Sequence, residues 1–244
     1  MQPYYMAWYG FFEQIKLADI YVFYDDVQYV KRSLMNRVDI KTGNGTEWMT
    51  IPLKKLHQGD LLCDIACHEE SNWRKDHLDR LRLSYKQAPF FEDMFSLAGD
   101  IFNCTGERLS DVTITAIRKI SSYFGLDKGK EFYLSSELKI GGKSSQRLLN
   151  ICTALGADTY LTGMGALRYL DFDLFENDGI KVEFIDYANT PYPQLHGIFN
   201  PYVSILDLIS NSGNCGRIFM NSQAIFYKEF IKGERARKYL ESKQ

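Results

Sequence analysis

The sequence predicts an α/β protein with a mainly parallel sheet, flanking helices and a helical subregion at about residues 71–125. Three features predict this class. β-Branched and aromatic runs alternate with amphipathic segments in the second half of the chain, two stretches near the middle keep helical spacing, and no repeat or Pro/Gly-rich linker divides the 244 residues. We therefore expect one domain spanning residues 1–244, with the helical subregion as an insertion.

The first predicted strands are short and lie in the first part of the chain. Residues 20–27, IYVFYDDV, form a β-branched and aromatic run that ends in two carboxylates. Residues 46–53, TEWMTIPL, follow the turn sequence GNG, and residues 61–67, LLCDIAC, are a third candidate strand. Acidic groups are therefore expected at the carboxyl end of the first strand.

Two amphipathic helices are predicted within the helical subregion. Between about residues 71 and 87, apolar and aromatic side chains recur on one side of a helix, while arginines and lysines occupy the rest. Between residues 109 and 124 the apolar positions keep helical spacing, and the run stops at Gly125. The second helix is expected to pack on the sheet.

The clearest parallel unit begins after this subregion. EFYLSS, residues 131–136, is predicted to be a strand, residues 144–155 a helix, and ADTYLTG, residues 157–163, the next strand. A strand, helix and strand at this spacing predict a parallel pair with a right-handed crossover. GIKVEFIDY, residues 179–187, predicts a third parallel strand, and residues 216 to about 239 are predicted to be helical.

Composition and charge exclude several classes of protein. The chain has 29 Lys and Arg residues against 31 Asp and Glu residues and no long basic run, so no nucleic-acid partner is expected. No apolar stretch approaches the roughly 18 residues of a membrane span, and no charged-then-apolar leader is present, so no integral membrane segment is predicted. Five scattered cysteines suit free thiols in a reducing cytoplasm.

Polar residues follow three of the predicted strands at their carboxyl ends. In a parallel sheet, loops and helix N-termini converge at this edge, which makes it the predicted ligand site. The residues concerned are Asp25, Asp26 and Gln28 after the first strand, Lys143 and Ser144 at a helix start, and Gly163, Gly165, Tyr169 and Asp171 after the strand at 157–163. Cys63, Cys67 and His68 lack a fourth ligand nearby, so no metal site is predicted.

Two candidate general bases follow from the sequence. Because side chains alternate along a strand, we expect one of Asp25 and Asp26 to face the site as the base, while the other pairs with a nearby basic side chain such as Lys31. His196, whose side chain ordinarily titrates near neutrality, is the second candidate. No Ser-His-Asp or Cys-His spacing is evident.

Two turns are open to more than one interpretation. The helix start at Lys143 and Ser144 can hold a phosphate or carboxylate at its backbone N–H groups, or Ser144 can cap the helix. Gly163 and Gly165 either allow a ligand close to the backbone or form a tight turn. Neither stretch completes a Walker or dinucleotide-binding motif.

Five segments carry a family resemblance: MQPYYMAWYGFFEQI, ADIYVFYDDVQYVKRSLMNRVDIK, WMTIPL, SSQRLLNICTALGADTYLTGMGALRYLD and FNPYVSILDLISNSG. In this order, and nearly from end to end, they resemble the WbqC-like family of bacterial proteins. The resemblance carries over the motif positions Gln2, Pro3, Tyr4, Trp8, Gly10, Asp25, Asp26, Gln28, Asn36, Arg37, Gly163, Tyr169, Asp171, Gln194, Asp207 and Gly213. The predicted substrate-binding residues are Gln2, Tyr4, Trp8, Gln28, Lys31, Asn36, Arg37, Lys143, Ser144, Gly163, Gly165, Tyr169, Asp171 and Gln194.

The start of the chain departs from the family pattern at two points. Ala7 stands where the family usually has proline, which changes loop stiffness. Relatives usually have a short apolar strand before the Gln-Pro pair, whereas this chain begins at Met1, so either that strand is a stub or the native start lies upstream. If the pair follows a strand end, the rings of Tyr4, Tyr5 and Trp8 are expected to line the mouth of the sheet beside the two aspartates.

The resemblance also implies a function. WbqC-like proteins are encoded in clusters for surface polysaccharides such as O-antigen, and the resemblance implies a transferase of glycine or another acyl group, or an amide ligase, that takes a nucleotide-linked aminosugar and an acyl donor as substrates. The layout also looks similar to the nucleotidyltransferase-like branch of Rossmann-like folds, where pantothenate synthetase makes an amide through an acyl-adenylate. ATP use stays open, because Tyr and Trp replace the paired histidines of those enzymes. Nucleotidyl or glycosyl transfer, and non-catalytic sugar-nucleotide binding, remain alternatives.

Overall fold

The computed structural model describes residues 1–103 and 106–241. The helices in this part of the chain are α1 (Tyr9–Leu17), α2 (Trp73–Tyr85), α3 (Phe91–Phe102), α4 (Leu109–Tyr123), α5 (Ser135–Leu138), α6 (Ser144–Ala154), α7 (Phe172–Asn177), α8 (Ile205–Ser212), α9 (Tyr227–Phe230) and α10 (Glu234–Glu241). The strands are β1 (Ile20–Phe23), β2 (Arg37–Thr42), β3 (Gly45–Thr50), β4 (Glu131–Leu134), β5 (Thr159–Thr162), β6 (Lys181–Asp186) and β7 (Gln223–Phe226). The mixed α/β class predicted from the sequence is confirmed.

The strands join in three small ladders instead of one mainly parallel sheet. β1 pairs with β4 in parallel, β2 and β3 form an antiparallel hairpin, and β6 pairs in parallel with β5 and antiparallel with β7. The expected pairing of 131–136 with 157–163 is therefore wrong, since β4 pairs with β1 and β5 with β6. The strands are four to six residues long, and the chain turns into α5 directly after β4.

The chain contacts divide the protein into two compact units. The first unit comprises residues 1–136 and 189–221, and the second comprises residues 137–188 and 222–241 of the described chain. Each unit has its own apolar core. The single domain expected from the sequence stays a prediction.

The core of the first unit joins α1, α4 and α8. Fully buried side chains include Phe12 and Ile15 of α1, Ile117 and Ile120 of α4, and Leu208 of α8. The predicted helical subregion is confirmed, because α2, α3 and α4 occupy it and α4 keeps the apolar spacing seen in the sequence. This core fixes the ends of β1 and β4, where the candidate site lies.

Two segments differ from their prediction. Residues 61–67 are not a strand: Leu62–Asp64 form a 3₁₀ turn, in which the Asp64 N–H donates to the Leu61 carbonyl (3.0 Å). The Leu62 and Cys63 N–H groups donate to the carbonyls of Val27 (2.8 Å) and Asp25 (3.0 Å). The segment from 216 to 239 is only partly helical, because its QAIF stretch adds to β6 as β7.

The second unit holds the ladder of β5, β6 and β7. Phe175 of α7 and the strand residues Val182 and Phe184 are buried in its core, and Leu149 of α6 joins them. The helix predicted at 144–155 is confirmed as α6. No helix in the described part of the chain is both long and apolar enough to span a bilayer.

Candidate functional site

Asp25 and Asp26 lie just beyond β1, beside the end of β4. The parallel register places Phe23 opposite Leu134, so the residues that follow the two strands are neighbours. Asp25 is buried, and its Oδ1 accepts a hydrogen bond from the Ser136 N–H (3.0 Å) while its Oδ2 accepts from the Ser136 hydroxyl (2.7 Å). Asp25 therefore fixes the start of α5.

A single hydroxyl connects the two aspartates. The Ser135 Oγ lies 3.1 Å from Asp25 Oδ1 and 2.5 Å from Asp26 Oδ1, and it accepts a hydrogen bond from the Asp25 N–H (3.1 Å). A hydroxyl has one proton, so Ser135 donates to only one carboxylate at a time. The carboxylates converge, against the expectation that they would point apart, because β1 ends at Phe23 and strand alternation no longer applies.

Asp26 is the more accessible of the two carboxylates. Asp25 is buried and both of its oxygens are engaged, whereas Asp26 is half-buried. A general base must be reachable by the substrate proton that it takes, so Asp26 suits this role better than Asp25.

Cys63 lies beside the aspartates and is a poor nucleophile. Its N–H donates to the Asp25 carbonyl. Burial raises the pKa of the Cys63 thiol, and the negative charges of Asp64, Asp25 and Asp26 raise it further. Because the thiolate is the reactive form, the carboxylate groups suppress covalent chemistry at this sulfur.

The first residues of the chain border the end of β1. The Met1 ammonium donates to the Val22 carbonyl (2.8 Å), and the Tyr24 N–H donates to the Met1 carbonyl (2.9 Å). Gln2 follows directly, and its Oε1 accepts a hydrogen bond from the Tyr4 hydroxyl (3.3 Å). These two hydrogen bonds place Gln2 beside the carboxyl end of β1.

The predicted aromatic wall is formed only in part. Tyr5 is fully buried, and its hydroxyl bonds to His77, so its assignment to the mouth of the sheet is wrong. Trp8 is half-buried, lies against the backbone of Gly10 and contacts the ring of Tyr202 at a centroid distance of 5.2 Å. Tyr5 points inward because apolar and aromatic side chains of α2 surround it.

Three predicted binding residues lie in the loop between β1 and β2, and a fourth, Arg37, is the first residue of β2. Gln28 and Lys31 are exposed, and Gln28 forms an isolated bridge with Leu61. The Asn36 amide is engaged within the protein, since it donates to the Ile51 carbonyl (2.9 Å) and accepts from the Tyr29 hydroxyl (2.9 Å). Arg37 donates to the Arg32 carbonyl (2.5 Å) and lies over the Trp48 ring.

A second polar cluster in this unit centres on Lys41 of β2. Lys41 is buried, and its Nζ donates to Gln194 Oε1 (2.7 Å) and to the carbonyls of Gly197 (3.2 Å) and Ile198 (2.6 Å). Burial lowers the pKa of Lys41, and the charge of Asp207 raises it. Lys41 therefore holds the segment that contains Gln194 and His196.

Asp207 of α8 completes the Lys41 cluster. Its Oδ1 accepts from the Tyr192 hydroxyl and the Gln194 amide, both at 2.8 Å. Burial raises the pKa of Asp207, while these two donors, the nearby Tyr85 hydroxyl and the Lys41 charge lower it. Although Tyr85 comes close enough to act on the pKa of Asp207, no donor among the described residues meets Asp207 Oδ2 in hydrogen-bonding geometry.

His196 is held at the edge of the Lys41 cluster. Its Nε2 lies 2.7 Å from the Ser84 carbonyl, so Nε2 carries a proton and donates it. In the neutral ring Nδ1 is then the acceptor. This tautomer keeps His196 a candidate base only through Nδ1.

The remaining predicted residues belong to the second unit. Asp171 caps α7, since its Oδ1 accepts from the Leu174 N–H (3.2 Å). Ser144 has a left-handed backbone (φ 49°) at the start of α6, and Lys143 beside it is exposed. Gly163 and Gly165 flank the start of a 3₁₀ turn, and Tyr169 is exposed. The substrate-binding roles predicted for these residues stay predictions.

Several polar residues near the site were not among the sequence predictions. Ser135 and Ser136 follow β4 directly, so the rule that singled out Asp25 also applies to them. Lys41 gives no comparable signal, because Asp39 and Thr42 near it in the sequence are also polar. Asp207, one of the motif positions of the resemblance, interrupts the apolar run ILDLI, a signal of a buried charge that needs partners. Within residues 1–103 and 106–241, no group of three His, Cys, Asp or Glu side chains is arranged to hold a metal ion.

Comparisons with known proteins identify relatives of the chain. The sequence profile of the WbqC-like protein family matches residues 2–218. The chain is also 33% identical over 215 residues to the uncharacterized protein Rv1507c of Mycobacterium tuberculosis (strain ATCC 25618 / H37Rv), and the alignment covers 87% of this chain and 92% of that protein. No solved structure matches the chain.

Proposed function

Because the chain belongs to the WbqC-like protein family, whose membership suggests a polysaccharide-related function, we propose that it is a transferase acting on an aminosugar of surface polysaccharide. The proposed reaction transfers glycine or another acyl group to the amino group of a nucleotide-linked aminosugar, forming an amide. The five cysteines of the sequence support a cytoplasmic setting for this reaction.

The convergence of Asp25 and Asp26 on Ser135 is the observation that supports acyl transfer. An aminosugar reaches the protein as an ammonium ion and must lose a proton before its nitrogen can attack. In the proposed reaction Asp26 takes that proton, while Asp25 and Ser135 hold it in place through hydrogen bonds. The negative charge of the pair also attracts the ammonium group.

The acyl donor is an activated acid in this scheme. The sugar nitrogen attacks the acyl carbon, a C–N bond forms, and the bond from that carbon to its activating group breaks, so the group leaves with the electron pair. The amide of Gln2 is the proposed donor to the developing oxyanion, since Gln2 lies beside the end of β1. Asn36, one of the predicted substrate-binding residues, is less suitable as this donor because its amide already bonds to Ile51 and Tyr29.

The test is a transfer assay read by mass spectrometry. Purified protein is incubated with UDP-glucosamine and either an acyl thioester or glycine with ATP, and the sugar nucleotide is examined for the added acyl group. Asp26→Asn is expected to lower the rate about 100-fold or more, the range typical of losing a general base. Asp64→Asn, which changes an exposed carboxylate on the neighbouring turn, is the matched control and should keep the wild-type rate.

Each outcome of the assay has a defined meaning. Release of AMP with the product indicates an acyl-adenylate and ATP use. Wild-type activity in Asp26→Asn contradicts the assigned base, and Nδ1 of His196 becomes the candidate. Binding of the sugar nucleotide without acylation by either donor contradicts the transferase proposal and favours a non-catalytic binding protein.

A further inference from the structure

One face of the β2–β3 hairpin carries polar and aromatic side chains that the proposed reaction does not use. In the antiparallel register Asp39 lies opposite Trp48, and Arg37 lies opposite Thr50. Residues directly opposite each other share a face, so these four side chains lie together. Val38 and Met49 point to the other face and are buried in the core.

Arg37 has hydrogen-bonding capacity left on this face. Its guanidinium carbon lies 4.2 Å from the centre of the Trp48 ring, a cation–π contact that fixes both side chains. Of the five N–H donors of a guanidinium, the bond to the Arg32 carbonyl uses one, and Nε is buried with no partner in the part of the chain that the structure describes. Arg37 is thus positioned and still has donors to offer.

Asp39 is a half-buried carboxylate without a protein donor. Its backbone carbonyl accepts from the Ser204 N–H (2.8 Å), but within residues 1–103 and 106–241 no hydrogen bond or ion pair reaches its side chain. Burial raises the pKa of Asp39, and Arg37 lowers it. An unpaired carboxylate in such a position reduces stability, which points to a ligand that supplies the missing donors.

Aromatic rings border the same face. Trp48 keeps 43% of its surface exposed despite the contact with Arg37, and Tyr202 keeps 62%. The bond from Ser204 to Asp39 holds the Tyr202 segment along the free edge of β2, and the Tyr202 ring contacts Trp8. Flat exposed rings beside a free acceptor and free donors form a surface suited to the C–H face and hydroxyl groups of a pyranose.

We propose that this face, comprising Arg37, Asp39, Trp48 and Tyr202, binds the glycosyl part of a carbohydrate. Asp39 accepts hydrogen bonds from two neighbouring sugar hydroxyls, Arg37 donates to a third sugar oxygen, and Trp48 and Tyr202 cover the apolar face of the ring. The identification of the sugar as an aminosugar rests on the proposed function. Binding of a sugar at the hairpin can be measured without acyl transfer.

The test compares ligands and variants by calorimetry. UDP-glucosamine and glucosamine are titrated into the wild-type protein, with UDP as the arm that lacks a sugar. Asp39→Asn is expected to weaken UDP-glucosamine binding about tenfold or more, as loss of a hydrogen bond to a charged group does. Trp48→Ala is expected to weaken it by a similar factor, because the apolar face of the sugar loses its aromatic cover. Glu47→Gln is the matched control. Glu47 is an exposed carboxylate next to Trp48 on β3, and it lies on the face of the hairpin opposite to Asp39 and Trp48.

Thermal unfolding separates a binding role of Asp39 from a structural one. If the carboxylate serves a ligand, Asp39→Asn removes an unpaired charge and its unfolding midpoint should equal or exceed that of the wild type. A lower midpoint with unchanged sugar binding would show a structural role and overturn the inference. Equal affinity of wild type and Asp39→Asn for UDP-glucosamine, or UDP binding as tightly as UDP-glucosamine, would also overturn it.

The inference and the proposed function fail in different ways. Sugar binding that depends on Asp39, without acylation by either donor, supports the hairpin site and contradicts the transferase. Acylation that Asp39→Asn and Trp48→Ala leave unchanged in both rate and substrate affinity supports the transferase and contradicts the hairpin site.

Discussion

His77 of α2 is a buried histidine whose surroundings keep it neutral. The Tyr5 hydroxyl lies 2.8 Å from its Nδ1, and the ring also bonds to the Thr50 carbonyl. A carbonyl only accepts, so the ring nitrogen facing Thr50 carries the proton and Nδ1 accepts from Tyr5. Burial lowers the pKa of His77 to about 4, and nearby Arg80 adds to the lowering.

This pKa predicts a loss of stability in mild acid. The pKa in the folded protein is about 4, against 6.5 for the unperturbed side chain, so the unfolded chain binds more protons between these values. The stability that neutral His77 contributes to the folded state is therefore fully present above pH 6.5 and is lost as the pH falls towards 4. We expect His77 to account for about 2 kcal/mol of the decrease in unfolding free energy between pH 7 and pH 4.5, measured by urea denaturation at both values.

His77→Gln isolates this effect from the titration of carboxylates. Glutamine keeps one donor and one acceptor but does not titrate, so the variant should lose less stability than the wild type over the same pH interval. Equal slopes for His77→Gln and wild type would contradict the assigned role.

At the residue scale the sequence located charges better than it located their partners. Asp25 and Asp26 were predicted from their place after a strand, and they do lie at the end of a parallel pair. Their convergence on Ser135 was not predictable, because it depends on the register of β1 with β4, which residue patterns do not specify. The burial of Lys41 likewise depends on its hydrogen bond to Gln194, which lies 153 residues further along the chain.

At the scale of elements, the junction of α8 with the following 3₁₀ turn depends on Gly213. Its backbone is left-handed (φ 57°), and a Cβ added there would lie 2.6 Å from the ring of Phe90, which precedes α3. The Phe90 N–H also donates to the Ser210 carbonyl (2.9 Å), so the α3 and α8 ends are tied together at this point. A side chain at residue 213 would separate them.

Gly213→Ala is expected to destabilise the protein by about 2 kcal/mol, because it combines backbone strain with overpacking against Phe90. Urea denaturation measures the change. Gly99→Ala is the matched control: Gly99 lies inside α3 with open space around its Cβ position, so alanine there should stabilise the helix by up to about 1 kcal/mol. A neutral Gly213→Ala would contradict the proposed contact.

Helices were predicted more reliably than strand pairing. The apolar spacing of α4 and α6 is a local property, and both helices appear within one or two residues of the predicted range. The QAIF stretch of β7 was assigned to a helix because four residues carry little periodicity of their own. Its strand conformation comes from the pairing with β6, a tertiary effect that overrides local preference.

At the scale of the whole molecule, the two apolar cores predict two regions of local stability. Val182 is buried in the core of the second unit. Val182→Ala should lower local stability by about 2 kcal/mol through lost burial and a small cavity, and hydrogen exchange should quicken in β5, β6 and α6. Amides of α4 in the first unit should keep their wild-type exchange rates.

A reciprocal variant is the control for this measurement. Ile117→Val, in the core of the first unit, should quicken exchange in α4 and leave β6 unchanged. If either substitution quickens exchange equally in both units, the protein unfolds as one cooperative body, and the single domain predicted from the sequence is supported instead.

The closeness of Asp25 and Asp26 has a consequence for turnover. Two carboxylates lie together at the end of β1, and this concentration of negative charge favours a cationic ligand there. Under the proposed chemistry, acylation converts the sugar ammonium into a neutral amide. When the acyl group carries no amine, the electrostatic attraction ends as the bond forms; when the acyl group is glycine, the product keeps an ammonium group on the glycyl part. In the first case, the two carboxylates that attract the substrate would bind the acylated product less tightly, which limits product inhibition.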